Sequence, residues 1–150
     1  MSINTKIQNN YLYNGLGFPI ILERADFKKI GGKWLLKIDV KKLSEKVIRA
    51  LPYKPVGLTG AEIRFIRTYF DLSKRKFAEE IKVSHTAVNK WEEYDQERAK
   101  IDIHVEIMLR SLVKLKLNEE SDFSNFYRGL MDDVRKFSDQ TSAEPMKIAG

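Results

Sequence analysis

The chain contains no cysteine and only two histidines, His85 and His104. That excludes disulfides and thiolate zinc sites and leaves no histidine-rich cage, so neither a metal nor another cofactor is expected. No run of about 18 apolar residues is present to cross a bilayer. The opening "MSINTKIQNNYLYNG" lacks the basic-then-apolar order of a secretory signal, so a cytoplasmic chain with no membrane partner is the expectation. Also absent are a phosphate-cradling glycine loop, a nucleophile motif and a catalytic dyad, and the chain is not expected to be an enzyme.

What is there is a globular composition. The 150 residues are 43% hydrophobic and 11% aromatic, enough to bury a core as one domain or two small ones. The formal charge is +6, which fits a polyanionic partner without identifying one. Residues 1–57 hold 11 basic and 4 acidic side chains, residues 58–100 hold 9 and 8, and residues 101–150 hold 7 and 9. The basic excess therefore belongs to the first third.

The pattern changes along the chain. Residues 1–10 are polar and without periodicity and read as a flexible tail. "YLY", "FPIILE" and "KWLLKI" are short aromatic and β-branched runs broken by glycines, which reads as strands, with Gly31-Gly32 as a two-residue hairpin turn at positive φ. Asp39 is a candidate cap for a helix through Val40, Leu43, Val47, Ile48 and Leu51 that stops near Pro52. Residues 11–54 thus form a small sheet-plus-helix domain, and "PYKPVG" marks its boundary.

Beyond it the period is helical. Thr59, Ser73 and Ser84 can each cap a short helix, and Ile101 to Leu117 reads as a longer one, with Val105, Met108, Leu109, Leu112, Val113 and Leu115 or Lys116 on its apolar side. Past "NEESD", Phe123, Phe126, Tyr127, Leu130, Met131, Val134 and Phe137 keep the i, i+3, i+4, i+7 spacing of an amphipathic helix over 119–138, for core packing or a dimer seam. Residues 139–150 read as a disordered tail. The expected class is α+β: a strand-plus-helix domain, an all-α domain over 58–118, and one more amphipathic helix.

Leu72 to Glu92 carries the functional signal. Phe77, Ala78, Ile81, Val83, Val88 and Trp91 form an inward set, with Ala87 small enough for close helix approach. Lys74, Arg75, His85, Thr86, Asn89 and Lys90 form an outward one. A helix-turn-helix unit needs such a division, because its second helix must show polar groups to base edges while apolar ones lock it to the first. "LTGAEIRFIRTYFDLSKRKFAEEIKVSHTAVNKWE" resembles the Cro/C1-type, or Xre, family of DNA-binding domains, through Leu72, Ser73, Ala78, Val83, Ser84, Val88, Trp91 and Glu92. The family commonly has glycine at the turn, where this chain has Lys82.

The resemblance implies His85, Thr86, Asn89 and Lys90 as readers of base edges. Lys90 could donate to guanine, Asn89 could pair with adenine, and Thr86 could offer its methyl to thymine. Ser73, Lys74, Arg75 and Ser84 would hold phosphates, which set register without carrying sequence information. The carboxylates of "EEYDQE" should face away from the phosphates. Double-stranded DNA with a palindromic operator, bound by a homodimer, follows from the same resemblance.

The N-terminal layout followed by "LTGAEIRFIR" resembles the MqsA-like antitoxins, in which a small first domain holds a toxin and the second binds the operon promoter. MqsA itself uses zinc-binding cysteines there, and this chain has none. The implied role is a repressor that neutralises a cognate toxin. The alternative is a stand-alone regulator whose first domain binds a ligand or another protein. Lys28, Lys29, Lys33, Lys37, Lys41 and Lys42 are left open as a nucleic-acid track or a solvated surface.

Overall fold

The computed structural model describes residues 4–117, 125, 126, 128, 129 and 145–149. It is an α+β protein in which an N-terminal four-stranded sheet is followed by helices. The chain divides into two compact units, Met1–Val47 with Pro145–Gly150, and Ile48–Glu144.

In the first unit, β1 (Thr5–Tyr13), β2 (Ile20–Ile30) and β3 (Lys33–Lys37) form an antiparallel meander. The β2–β3 hairpin closes through Gly31 and Gly32 at φ 57° and 80°, as the glycine pair implies. β2 runs on through "RADFKK", a polar stretch absent from the short apolar runs. It is a strand because only alternate residues need burying: Ala25 and Phe27 are buried while Lys28 and Lys29 are exposed.

Two sequence expectations are corrected here. Thr5 to Asn10 is not a tail but most of β1, an edge strand held by eleven-residue β2, whose backbone pairs with the inner edge of β1 although the β1 side chains there face water. Met146–Ile148, placed in a C-terminal disordered tail, is strand β4, parallel to β2 at Ile20–Leu22 and anchored by Ile148, which is buried. The unit's core is Phe18, Ile20, Leu22, Ala25, Phe27, Leu43, Val47 and Ile148.

Helix α1 (Val40–Ala50) is started by Asp39, whose carboxylate accepts from the Lys42 amide at 3.1 Å. Leu51–Tyr53 is a single 3-10 turn, so the helix stops where Pro52 dictates.

The second unit contains α2 (Gly60–Tyr69), α3 (Lys74–Glu80), α4 (His85–Glu93) and α5 (Ile103–Lys116). The boundary stretch "PYKPVG" is built into it, because its prolines leave carbonyls with no ladder to join and α5 supplies the donors. The Arg110 guanidinium, fully buried, donates to the carbonyls of Pro52 (3.2 Å), Lys54 (2.5 Å) and Val56 (2.6 Å). Burial lowers its pKa from the ordinary value, while Glu106 and Glu62 oppose the shift.

The side chain of Glu106 accepts from the Leu58 amide at 2.8 Å, and Lys54 Nζ meets the Glu62 carboxylate at 2.7 and 2.9 Å. Thr59 completes a capping box with Glu62 at the start of α2. These contacts join α5 to α2 through the proline stretch. They also turn α5 so that Glu106, Arg110, Val113 and Lys114 are buried, while Met108 and Leu115, expected on its apolar side, are 44% and 45% exposed.

Phe123, Tyr127, Leu130, Met131, Val134 and Phe137 lie outside the described residues. Phe126 is described, helical and buried; its ring meets Tyr53 edge-on at 5.1 Å and Lys114 Nζ lies 5.6 Å from it. That residue packs on its own unit.

Candidate nucleic-acid interface

Helices α3 and α4 are joined by the turn Ile81–Ser84, and each begins on a serine cap. Ser73 Oγ accepts from the Lys76 amide at 3.1 Å and Ser84 Oγ from the Ala87 amide at 3.2 Å. Both hydroxyl oxygens are thus occupied as acceptors, and their O–H groups remain the part able to donate to an anion.

α3 ends in a Schellman arrangement. The Val83 amide donates to Ala78 O and the Lys82 amide to Glu79 O, with Lys82 at φ 58°. Lys82 thus takes the left-handed conformation that glycine adopts without cost, and bears the Cβ strain. Asp71, at φ 56°, closes α2 in the same way.

The two faces fall as the spacing requires. Phe77, Ala78, Ile81, Val88 and Trp91 are buried, whereas Lys74, Arg75, His85, Thr86, Asn89 and Lys90 are exposed. Ser73 and Ser84 are exposed beside them, so all eight predicted contact residues lie on the outward side of one helix pair. Val83 and Ala87, expected inward, are half-buried. His104 is exposed on α5.

One contact alters the reading of two residues. Lys74 Nζ donates to Asn89 Oδ1 at 2.7 Å, tying the first turn of α3 to α4, and Asn89 Nδ2 lies 3.4 Å from Glu93 Oε1. Bidentate pairing with adenine needs both ends of that amide. Asn89 must therefore exchange the Lys74 contact before it can pair so, and Lys74 is not an uncommitted phosphate ligand. Arg75 and Lys90 have no side-chain partner among the described residues.

Glu92 stands apart from the other carboxylates of "EEYDQE". It is buried, receives Arg67 Nε at 2.8 Å and Arg67 Nη2 at 2.9 Å, and meets Arg64 Nε at 3.3 Å. Arg67 also donates to Leu72 O at 3.0 Å, so one guanidinium fixes α4 against α2 and the turn that launches α3. Sequence reading took Glu92 as a signature residue and missed this structural role; the signal for it was Arg64 and Arg67 three apart on the preceding amphipathic helix.

Gly60 supplies the close approach. A Cβ there would fall 2.4 Å from Trp91 O and 2.6 Å from Asp95 N, so only glycine lets the start of α2 reach the end of α4.

No protein-family model matches this chain, and neither a characterised protein nor a solved structure matches it.

Proposed function

We propose that the protein is a sequence-specific double-stranded DNA-binding repressor acting as a homodimer on a palindromic operator. The observation that carries this reading is the division of α3 and α4 into a buried apolar side and an exposed polar side bearing His85, Thr86, Asn89 and Lys90. Base edges in the major groove are read by such short polar side chains on a helix, and Lys90, Thr86 and Asn89 match guanine, thymine and adenine chemistry. Ser73, Arg75 and Ser84, with Lys74 once released from Asn89, supply the phosphate side. Two-fold symmetry places the half-sites one helical turn, about 34 Å, or a multiple of it apart.

The layout of a small sheet unit ahead of this helix pair supports an antitoxin role, in which the first unit neutralises a toxin and the second represses the shared operon. A second reading, a regulator whose first unit binds a small ligand, has one observation in its favour. Leu22, Ala25, Leu36, Ile38 and Leu43, rimmed by Arg24, Asp26, Asp39 and Lys42, line a cleft of about 190 Å³ in that unit. This is smaller than the pockets that enclose drug-sized ligands.

The test is a gel shift against operator DNA selected from a random pool. The double variant Thr86→Ala/Lys90→Ala should lose preference for the selected sequence over scrambled DNA while retaining its helical circular dichroism. Undiminished discrimination rejects α4 as the reader. A co-transcribed neighbouring gene whose product inhibits growth alone, and is silenced by this protein, supports the antitoxin role; a neighbour without that effect rejects it.

A further inference from the structure

The net charge is confined to one unit. Residues 1–47 with 145–150 carry 10 basic and 4 acidic side chains, whereas residues 48–144 carry 17 of each. The sheet shows where much of that excess sits. Cross-strand partners share a face, so the register Ile7↔Asp26↔Lys37, Lys28↔Leu35 and Ile30↔Lys33 puts all of these on one side. The opposite side holds Ala25 and Phe27, which are buried.

On the outward side Ile7, Ile30 and Leu35 are 55%, 54% and 50% exposed, interleaved with Lys28, Lys33 and Lys37. The ammonium groups of these three lysines have no hydrogen-bond or ion-pair partner among the described residues, and the single carboxylate on the patch, Asp26, is taken by Arg24 at 3.2 Å. Large aliphatic side chains grouped on a sheet face and left half in water mark a surface that another molecule covers.

We propose that this face docks an acidic amphipathic helix of a partner protein. The size fits one helix. Three strands span about 10 Å between outer axes and five residues of strand about 17 Å, the width and length of a helix of about three turns. The charge fits carboxylates flanking the helix's apolar stripe, each within reach of a lysine, while the stripe covers Ile7, Ile30 and Leu35. A nucleic-acid backbone fits less well, because the aliphatic side chains would face phosphates and bury nothing; such interfaces are more polar. A second copy would oppose lysine to lysine across a two-fold axis. The inference does not depend on the role of α3 and α4.

The test uses the full chain and a fluorescein-labelled synthetic 18-residue peptide with leucine at i, i+3, i+4 and i+7 and glutamate on its other face, read by fluorescence anisotropy. The wild type should bind it at least tenfold more tightly than a scrambled peptide of the same composition. Lys28→Glu/Lys33→Glu/Lys37→Glu and Ile30→Ser/Leu35→Ser should each weaken binding at least tenfold. Lys41→Glu/Lys100→Glu, neither of them on this face or lining the cleft beside it, should change it less than twofold. All substituted side chains are exposed, so circular dichroism should stay unchanged. Equal binding of the scrambled peptide, or equal loss from the Lys41→Glu/Lys100→Glu pair, overturns the proposal. So does a dimer in sedimentation that Ile30→Ser/Leu35→Ser dissociates, or a random duplex whose affinity, rather than the peptide's, falls in the triple-lysine variant.

Discussion

Replacing Arg110 by methionine should be among the most damaging single changes available to the helical unit. The side chain is 0% exposed and its guanidinium serves three carbonyls, at Pro52, Lys54 and Val56, with Glu106 Oε2 3.8 Å away. Methionine fills most of the volume but donates nothing. Each orphaned buried carbonyl costs about 1–3 kcal/mol, and breaking a buried charge pair by removing one member costs about 3–5 kcal/mol. These figures overlap rather than add, since the proline stretch can shift to admit water to one or two carbonyls. A loss of about 4 kcal/mol is expected, a large fraction of a domain stability of about 5–15 kcal/mol.

The assay is urea unfolding in a Trp34→Phe background, where Trp91, the second of the chain's two tryptophans and buried in the helical unit, is the remaining indole. The midpoint should fall without a change of slope. The melting temperature should drop by about 15 °C, taking about 4 °C per kcal/mol for a unit near 100 residues. Arg110→Lys should recover only part of the loss, because an ammonium cannot span three divergent carbonyls as the planar fork does. Glu106→Gln added to Arg110→Met should recover some of the rest by neutralising the carboxylate left behind. A loss below about 1 kcal/mol for Arg110→Met would refute the reasoning, since it would mean that the carbonyls do not depend on the guanidinium.

Glu92→Gln weakens the double contact with Arg67 and leaves its charge less compensated; it should destabilise by about 2 kcal/mol in the same unfolding assay and loosen operator binding through α4. Lys82→Gly removes Cβ strain at φ 58° and should raise the stability of the unit by up to about 1 kcal/mol, less the added chain entropy, with DNA preference unchanged. Arg75→Gln should weaken binding to all sequences alike and reduce the slope of log affinity against log salt by about 1, measured by anisotropy titration between low and moderate salt.

The helical unit was the more legible half. Thr59, Ser73 and Ser84 all act as the caps their side chains suggested, and Phe77, Ala78, Ile81, Val88 and Trp91 are buried at the positions their spacing assigned. Both signals are local: a cap and an apolar stripe act within a few residues. What escaped is non-local. Arg110 looked like one more charge on a helix, and its value depends on carbonyls more than 50 residues away in the chain. The Thr5 to Asn10 part of β1 and all of β4 escaped for a related reason, although "YLY" at the end of β1 was legible as strand. Their pairing energy resides in backbone groups supplied by β2, and neither side-chain pattern, polar in Thr5 to Asn10 and brief in Met146–Ile148, announces a partner. In the candidate interface the outward residues were foreseeable one by one. The Lys74–Asn89 link was not, because it joins two helices through side chains whose reach no spacing rule encodes.

The seating of β4 beside β2 sets an order of events during synthesis. Residues 5–37, which supply β1, β2 and β3, leave the ribosome long before Met146 can reach Ile20, so three strands are available while the fourth is still to be made. During that interval the Ile20–Leu22 backbone presents an unpaired edge, and the nascent sheet is the part of the molecule most open to capture by a chaperone or by another strand.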